Sequence, residues 1–312
     1  LNILFSINKL QSSITYVAFL GHFILMLSII FFINNDNDFK NKLSKILFYI
    51  IIFVSLDTIL QYFTGTDIFG YKISTSHGVR LSGPFGDEYV VGAFLSKLFF
   101  LSILFLDSKK FRYYNICLIF MILIIIILSN ERSASLMFLV ASFFYFIFNN
   151  FFSIKEKIIK LLLFFSIIIS LFSFNPQLKD HFIDRTFEQI GITQTNKNMH
   201  NNFWDSQWGA HYLTSIEIFK DYPFLGSGAD TFRYICSKKE YSNINSAEAK
   251  VRCNTHPHNI FIEILSELGI IGFLIFISFL SYILIKLLKN FYYFRKQSNE
   301  ELIYILSFII LF

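Results

Sequence analysis

Charge is sparse in this sequence. Asp, Glu, Lys and Arg make up 16% of its 312 residues, against 54% hydrophobic residues. That balance excludes an ordinary soluble domain. No repeat recurs at a solenoid period, and no low-complexity tract stands out beyond a Phe/Ile/Leu/Asn bias. The first apolar run has polar flanks without a cleavage-site pattern, so it is not a signal peptide. Cysteine is limited to three residues. Cys117 lies inside an apolar run and reads as inert packing. Cys236 and Cys253 share a long polar segment, where a disulfide is expected in an oxidising compartment.

What remains is apolar runs near the ~20 residues that cross a bilayer. Spans are expected at about 14–33, 43–63, 89–106, 113–129, 134–149, 158–174 and 260–285. An eighth begins near 301 and stops at Phe312. With Leu1 rather than methionine at the start, the expectation is a piece of a longer chain. The fold class expected is all-α, a polytopic transmembrane helix bundle with one large extracytoplasmic loop subdomain. The expected divisions are helices over 1–174, the large loop over 175–258 and C-terminal helices over 259–312.

The net charge of +5 does not imply nucleic acid, because the basic residues are sorted by side. Thirteen of the twenty-seven fall in one alternate set of short loops, at Lys40, Lys42, Lys45, Lys109, Lys110, Arg112, Lys155, Lys157, Lys160, Lys286, Lys289, Arg295 and Lys296. The other short loops hold only Lys72, Arg80 and Arg132. The positive-inside rule puts the first set in the cytoplasm. Loops 64–88, 130–133 and 175–258 then face outward. Six of the seven histidines lie on that side: His77, His181, His200, His211, His256 and His258.

Within the long loop, "SQWGAHYLTSIEIFKDYP" places Trp208, Tyr212, Ile216 and Phe219 at helical spacing. The expectation is an amphipathic helix on the bundle or membrane surface, with His211 and Ser215 largely off the apolar stripe. Three further segments could carry chemistry. In "GVRLSGPFGDEYVVGAFL" (78–95), glycines surround Arg80 before a helix that should hold Asp87 and Glu88 in its first turn. Its backbone amides and guanidinium suit an anion, and a capped turn is the plainer alternative. In "SNERSASL" (129–136), Arg132 sits in a tight turn, as an anion contact or an interfacial anchor. In "HPHNIFIEILSELGIIGF" (256–273), His256 and His258 flank Pro257 at the mouth of the last long span. Glu263 and Glu267, four apart, share one helix face. Carboxylates there should face an interior or a wet cavity, and a substrate role competes with plain packing. A metal site is disfavoured, since His-Pro-His lacks ligand spacing. Lys97 and Asp57, inside spans, are the only features that favour a transporter.

"HPHNIFIEILSELGIIG", "RLSGPFGDEYVVGAFL", "NERSASL" and "DYPFLGSGADTF", in this order, resemble the O-antigen ligase and polymerase superfamily over about residues 75–285. The resemblance implies a metal-independent, inverting glycosyltransferase without a cofactor, in the bacterial inner membrane and facing the periplasm. Its partners would be a polyprenyl-diphosphate-linked glycan donor, a glycan or lipid A-core acceptor, and membrane lipid. Arg80 and Arg132 would hold the diphosphate leaving group, and His258 would be the base. Arg233, His256, Glu263 and Glu267 are further substrate-binding candidates. O-antigen ligase, O-antigen polymerase and protein O-oligosaccharyltransferase stay unseparated at this level. A transporter or a structural membrane protein with a docking loop are the rival classes.

Overall fold

The computed structural model describes residues 2–36, 38–74, 79–105, 108–148, 152–189 and 203–294. The expected eighth span, Gly78, His77 and His200 lie outside the described residues. The fold is all-helical, with helices at each of the seven other expected spans. They are α1 (Lys9–Asn35), α2 (Phe39–Thr64), α3 (Val91–Phe105), α4 (Ser108–Leu128), α5 (Arg132–Phe148) and α6 (Ile154–Phe174), then α7 (Gln207–Asp221) in the long loop and α8 (Ile260–Phe294). By length and composition α1, α2, α6 and α8 suffice to cross a membrane; α3, α4 and α5 carry shorter apolar stretches. The chain is therefore a multi-pass membrane protein.

Two units divide the chain, one formed by Leu1–Phe31 with Asp184–Lys286, the other by Phe32–Ile183 with Leu287–Phe312. In the second unit, α2 to α6 share an apolar core that includes Ile51, Phe99, Phe100, Ile122, Phe138 and Phe164. Aromatic edges meet inside it, with Phe99 and Phe100 rings 5.0 Å apart. Small polar residues let helices approach, as where Ser44 Oγ donates to the Ser102 carbonyl of α3 at 2.8 Å. Ser153 and Glu156 form a capping box at the start of α6. Pro176 stands just past its end, as expected. One expectation is corrected here. Cys117 is exposed on the surface of α4 rather than packed. Asp57 accepts from the Ile68 N–H at 2.9 Å, so it holds the following loop.

In the first unit, the expected helix of the long loop is present as α7, but its buried face is not the expected one. Ala210, His211, Thr214, Ser215 and Ile218 are buried. The hydroxyls make this possible by donating to their own helix, Thr214 to the Ala210 carbonyl and Ser215 to that of His211. Ile218 packs with Phe232, Ile235, Cys236 and Tyr241. The disulfide between Cys236 and Cys253 is present, with Cα atoms 5.3 Å apart. Closing that short loop contributes roughly 3 kcal/mol.

The last helix is broken. Gly269 has φ 68° and ψ −172°, outside any helical region. The "PFLGSG" loop fills the break with backbone hydrogen bonds. Ile270 N–H donates to the Pro223 carbonyl at 2.8 Å and Ile271 N–H to that of Phe224 at 3.3 Å. In return Ser227 and Gly228 donate to Ser266 and Glu267 at 3.0 and 2.9 Å. Contact this close requires glycine: a Cβ on Gly226, at φ +72°, would lie 2.2 Å from the Glu267 carbonyl carbon and oxygen. Gly226→Ala should therefore lower the thermal midpoint of the purified protein by several degrees. Gly21→Ala, where nothing lies within 4 Å, should leave it unchanged or raised. Equal midpoints for Gly226→Ala and wild type would contradict this packing.

Candidate active site

In the first unit the site grows from the entry to α8. Asn259 is its N-cap: Oδ1 accepts from the N–H groups of Phe261 and Ile262 at 3.0 and 3.2 Å. Pro257 is buried. His258, between them, has φ 60°. A non-glycine residue in that left-handed region costs ~1–2 kcal/mol and persists where surroundings impose it. Those surroundings are aromatic. The His258 ring lies 4.8 Å from Trp208, 5.5 Å from His211 and 4.2 Å from His256, centroid to centroid. His258 is exposed on one side, but this crowding strips water from the rest of the ring. Its pKa is pushed down to about 4, first by that desolvation and then by the charges of His256 and His211. The imidazole is neutral near pH 7 and has a lone pair to accept a proton.

His211 was not singled out by the sequence. Its Nε2 donates to the Val251 carbonyl at 3.0 Å, so Nδ1 carries the lone pair, buried and without a hydrogen-bond partner. Burial and His256 hold its pKa below the ordinary histidine value. Trp208 and His211 lie three apart on α7, a spacing visible in the sequence, yet an apolar-stripe reading places only Trp208 inward. Among the described residues, no group of three or more His, Cys, Asp and Glu side chains is arranged to hold a metal ion.

The two glutamates of α8 differ. Glu267 is buried, and its two carboxylate oxygens accept from the Asp230 and Phe232 N–H groups at 2.6 and 2.9 Å. Its carboxylate thus holds the loop stitched into the helix break. Glu263 lies within electrostatic reach of Asp230 and Arg233. Arg233 Nη2 is paired with Asp230 Oδ1 at 2.7 Å.

In the second unit, Arg80 and Arg132 are brought near one another. Asn130 Nδ2 donates to the Val79 carbonyl at 2.7 Å, linking the residue before Arg80 to the turn that leads into Arg132, the first residue of α5. The Arg80 guanidinium lies over the Tyr89 ring at 4.8 Å. Its Nε is buried and has no hydrogen-bond partner. The surrounding amides correct the expectation of a backbone anion cradle. Ser82 and Gly83 N–H groups donate to Gln61 Oε1 at 3.0 and 2.9 Å. At the start of α3, Gly92 and Ala93 N–H groups donate to the Glu131 carboxylate. The chain's own anion fills that helix N-terminus. Asp87 and Glu88 precede α3, which begins at Val91, so they are not in its first turn. Burial raises the Glu131 pKa, opposed by those amides, Ser129 and Arg80.

The O-antigen ligase family profile matches residues 116–277, more than half of the chain. The chain belongs to the O-antigen ligase family. It is therefore a membrane enzyme of the glycosyltransferase and ligase type. The family match spans Arg132, Arg233, His256, His258, Glu263 and Glu267, while Arg80 lies before it. No curated protein matches the chain.

A depressed pKa has a definite pH signature. The folded state prefers neutral His258, so this group's contribution to stability is present above about pH 6.5 and is lost as pH falls toward about 4. Its imidazole resonances should titrate with a midpoint near 4. A midpoint at or above 6.5 would contradict the crowded-ring environment.

Proposed function

We propose that this enzyme transfers a glycan from a polyprenyl-diphosphate carrier to an acceptor sugar hydroxyl at the outer face of the bacterial inner membrane, as an O-antigen ligase. The observation that carries this reading is His258: a neutral imidazole, fixed in a left-handed backbone conformation, at the entry of a membrane-spanning helix. A lipid-linked donor and an acceptor sugar hydroxyl on the aqueous side meet at such a depth.

His258 accepts the proton of the acceptor hydroxyl as its oxygen attacks the anomeric carbon. The new glycosidic bond forms as the bond to the diphosphate breaks, and the diphosphate leaves with the electron pair. Attack from the face opposite the leaving group inverts the anomeric centre. Arg80 and Arg132 hold the diphosphate and stabilise its growing charge. The buried, unpartnered Nε of Arg80 supports that role, because a desolvated guanidinium donor gains most from an anion. Arg233, His256 and Glu263 bind substrate beside the base. Glu267 acts by holding the loop that carries Asp230 and Arg233.

The test is transfer from purified lipid-linked donor with EDTA present. His258→Ala should lose about 10²- to 10⁴-fold in rate, the usual range for a general base, with donor binding less affected. Arg80→Lys keeps charge but loses the planar fork, so it should impair transfer as well. Wild-type rates from folded His258→Ala would overturn the base assignment. Loss of transfer in EDTA, restored by a divalent ion, would overturn the metal-free step.

A further inference from the structure

Neutral imidazole has two tautomers, and only one nitrogen in each can accept a proton. Which nitrogen is free at His258 is readable from its neighbour. Asn254 Nδ2 lies 2.9 Å from His258 Nε2. The amide is oriented by its other end, because Asn254 Oδ1 accepts from the Thr255 N–H at 2.7 Å. Oxygen is thus committed to the backbone, and nitrogen faces the ring. An amide nitrogen donates and does not accept. His258 Nε2 must therefore be the accepting nitrogen, with the proton on Nδ1.

The Asn254 backbone is held in place from the residues before it. Cys253 is bonded to Cys236, and Arg252 Nε donates to the Cys236 carbonyl at 3.0 Å. On the other side, the Asn259 cap fixes the ring-bearing residue. The titratable groups facing the ring are His211 from α7 and His256 from the same loop.

We infer that Asn254 is a positioning residue for His258: its amide fixes the ring's orientation and selects the tautomer whose Nε2 lone pair accepts the proton. The inference rests on the reading of His258 as the base. An acceptor hydroxyl must take the amide's place at Nε2. Its proton then passes to Nε2, leaving an imidazolium with N–H on both nitrogens. Asn254 thereby marks where the reacting hydroxyl sits.

The experiment is nitrogen NMR of the full chain in lipid nanodiscs with ¹⁵N-labelled histidine, the His258 signals being those lost in His258→Gln. In wild type at pH 7, His258 should show a protonated Nδ1 and an unprotonated Nε2. In Asn254→Asp the carboxylate accepts instead of donating. Nε2 should become protonated, the His258 titration midpoint should rise by more than one pH unit, and transfer at pH 7 should fall tenfold or more. In Asn254→Ala the Nδ1–H tautomer should no longer be favoured, and the signals should shift toward the Nε2–H form that unconstrained histidine prefers. A wild-type Nε2–H would overturn the inference, as would an Asn254→Asp spectrum and titration identical to wild type. The tautomer readout does not depend on transfer. If it is as expected while His258→Ala transfers normally, the base reading fails and the tautomer assignment stands.

Discussion

The carboxylate of Glu267 holds the first unit's site together. It is buried in a helix that breaks two residues later, and its two oxygens accept backbone N–H groups from the loop that fills the break. Each such hydrogen bond contributes about 0.5–1.5 kcal/mol, and leaving a buried partner unsatisfied costs about 1–3 kcal/mol. The clasp fixes Asp230 and Phe232, and through them Arg233 and the Cys236 end of the disulfide. The disulfide then holds Cys253, and the chain from Cys253 to Asn259 carries Asn254, His256 and His258. The N-terminal segment joins the same arrangement. Asn2 donates to the Leu225 and Glu267 carbonyls, and Ser12 donates to that of Ala229.

A second carboxylate does similar work in the other unit. Glu131 sits in the turn before α5 and reaches the exposed amides at the start of α3. Its negative charge offsets the positive end of that helix and faces Arg80. The amides at the start of α3 are therefore taken up by the chain's own carboxylate. In each unit a buried glutamate takes up backbone donors from a segment distant in sequence.

The helices were legible because each of the seven apolar runs is a helix, four of them long enough to span, and the disulfide because two cysteines shared one loop. "HPHN" was legible as a helix entry, since Asn259 is a ready cap. Other features were hidden for physical reasons. Asn254 looks like any loop asparagine until the Thr255 N–H shows which way its amide points. His211 is buried beside hydroxyls that satisfy themselves within α7, so the buried stripe is small and polar and escapes a hydrophobicity reading. Glu267 and Glu131 both accept backbone N–H groups far away in sequence, which no local spacing encodes. The break at Gly269 is equally non-local, for its lost helical bonds are replaced from residues 223–228.

The clasp is tested most directly by hydrogen exchange of wild type and Glu267→Ala in the same lipid nanodisc. Without the carboxylate, the amides of Asp230 and Phe232 lose their acceptors. Faster exchange is expected across 223–235, spreading to 254–259, with the α2–α6 core unchanged. Identical exchange in both segments would contradict it, and the His258 loop would then owe its placement to something other than Glu267.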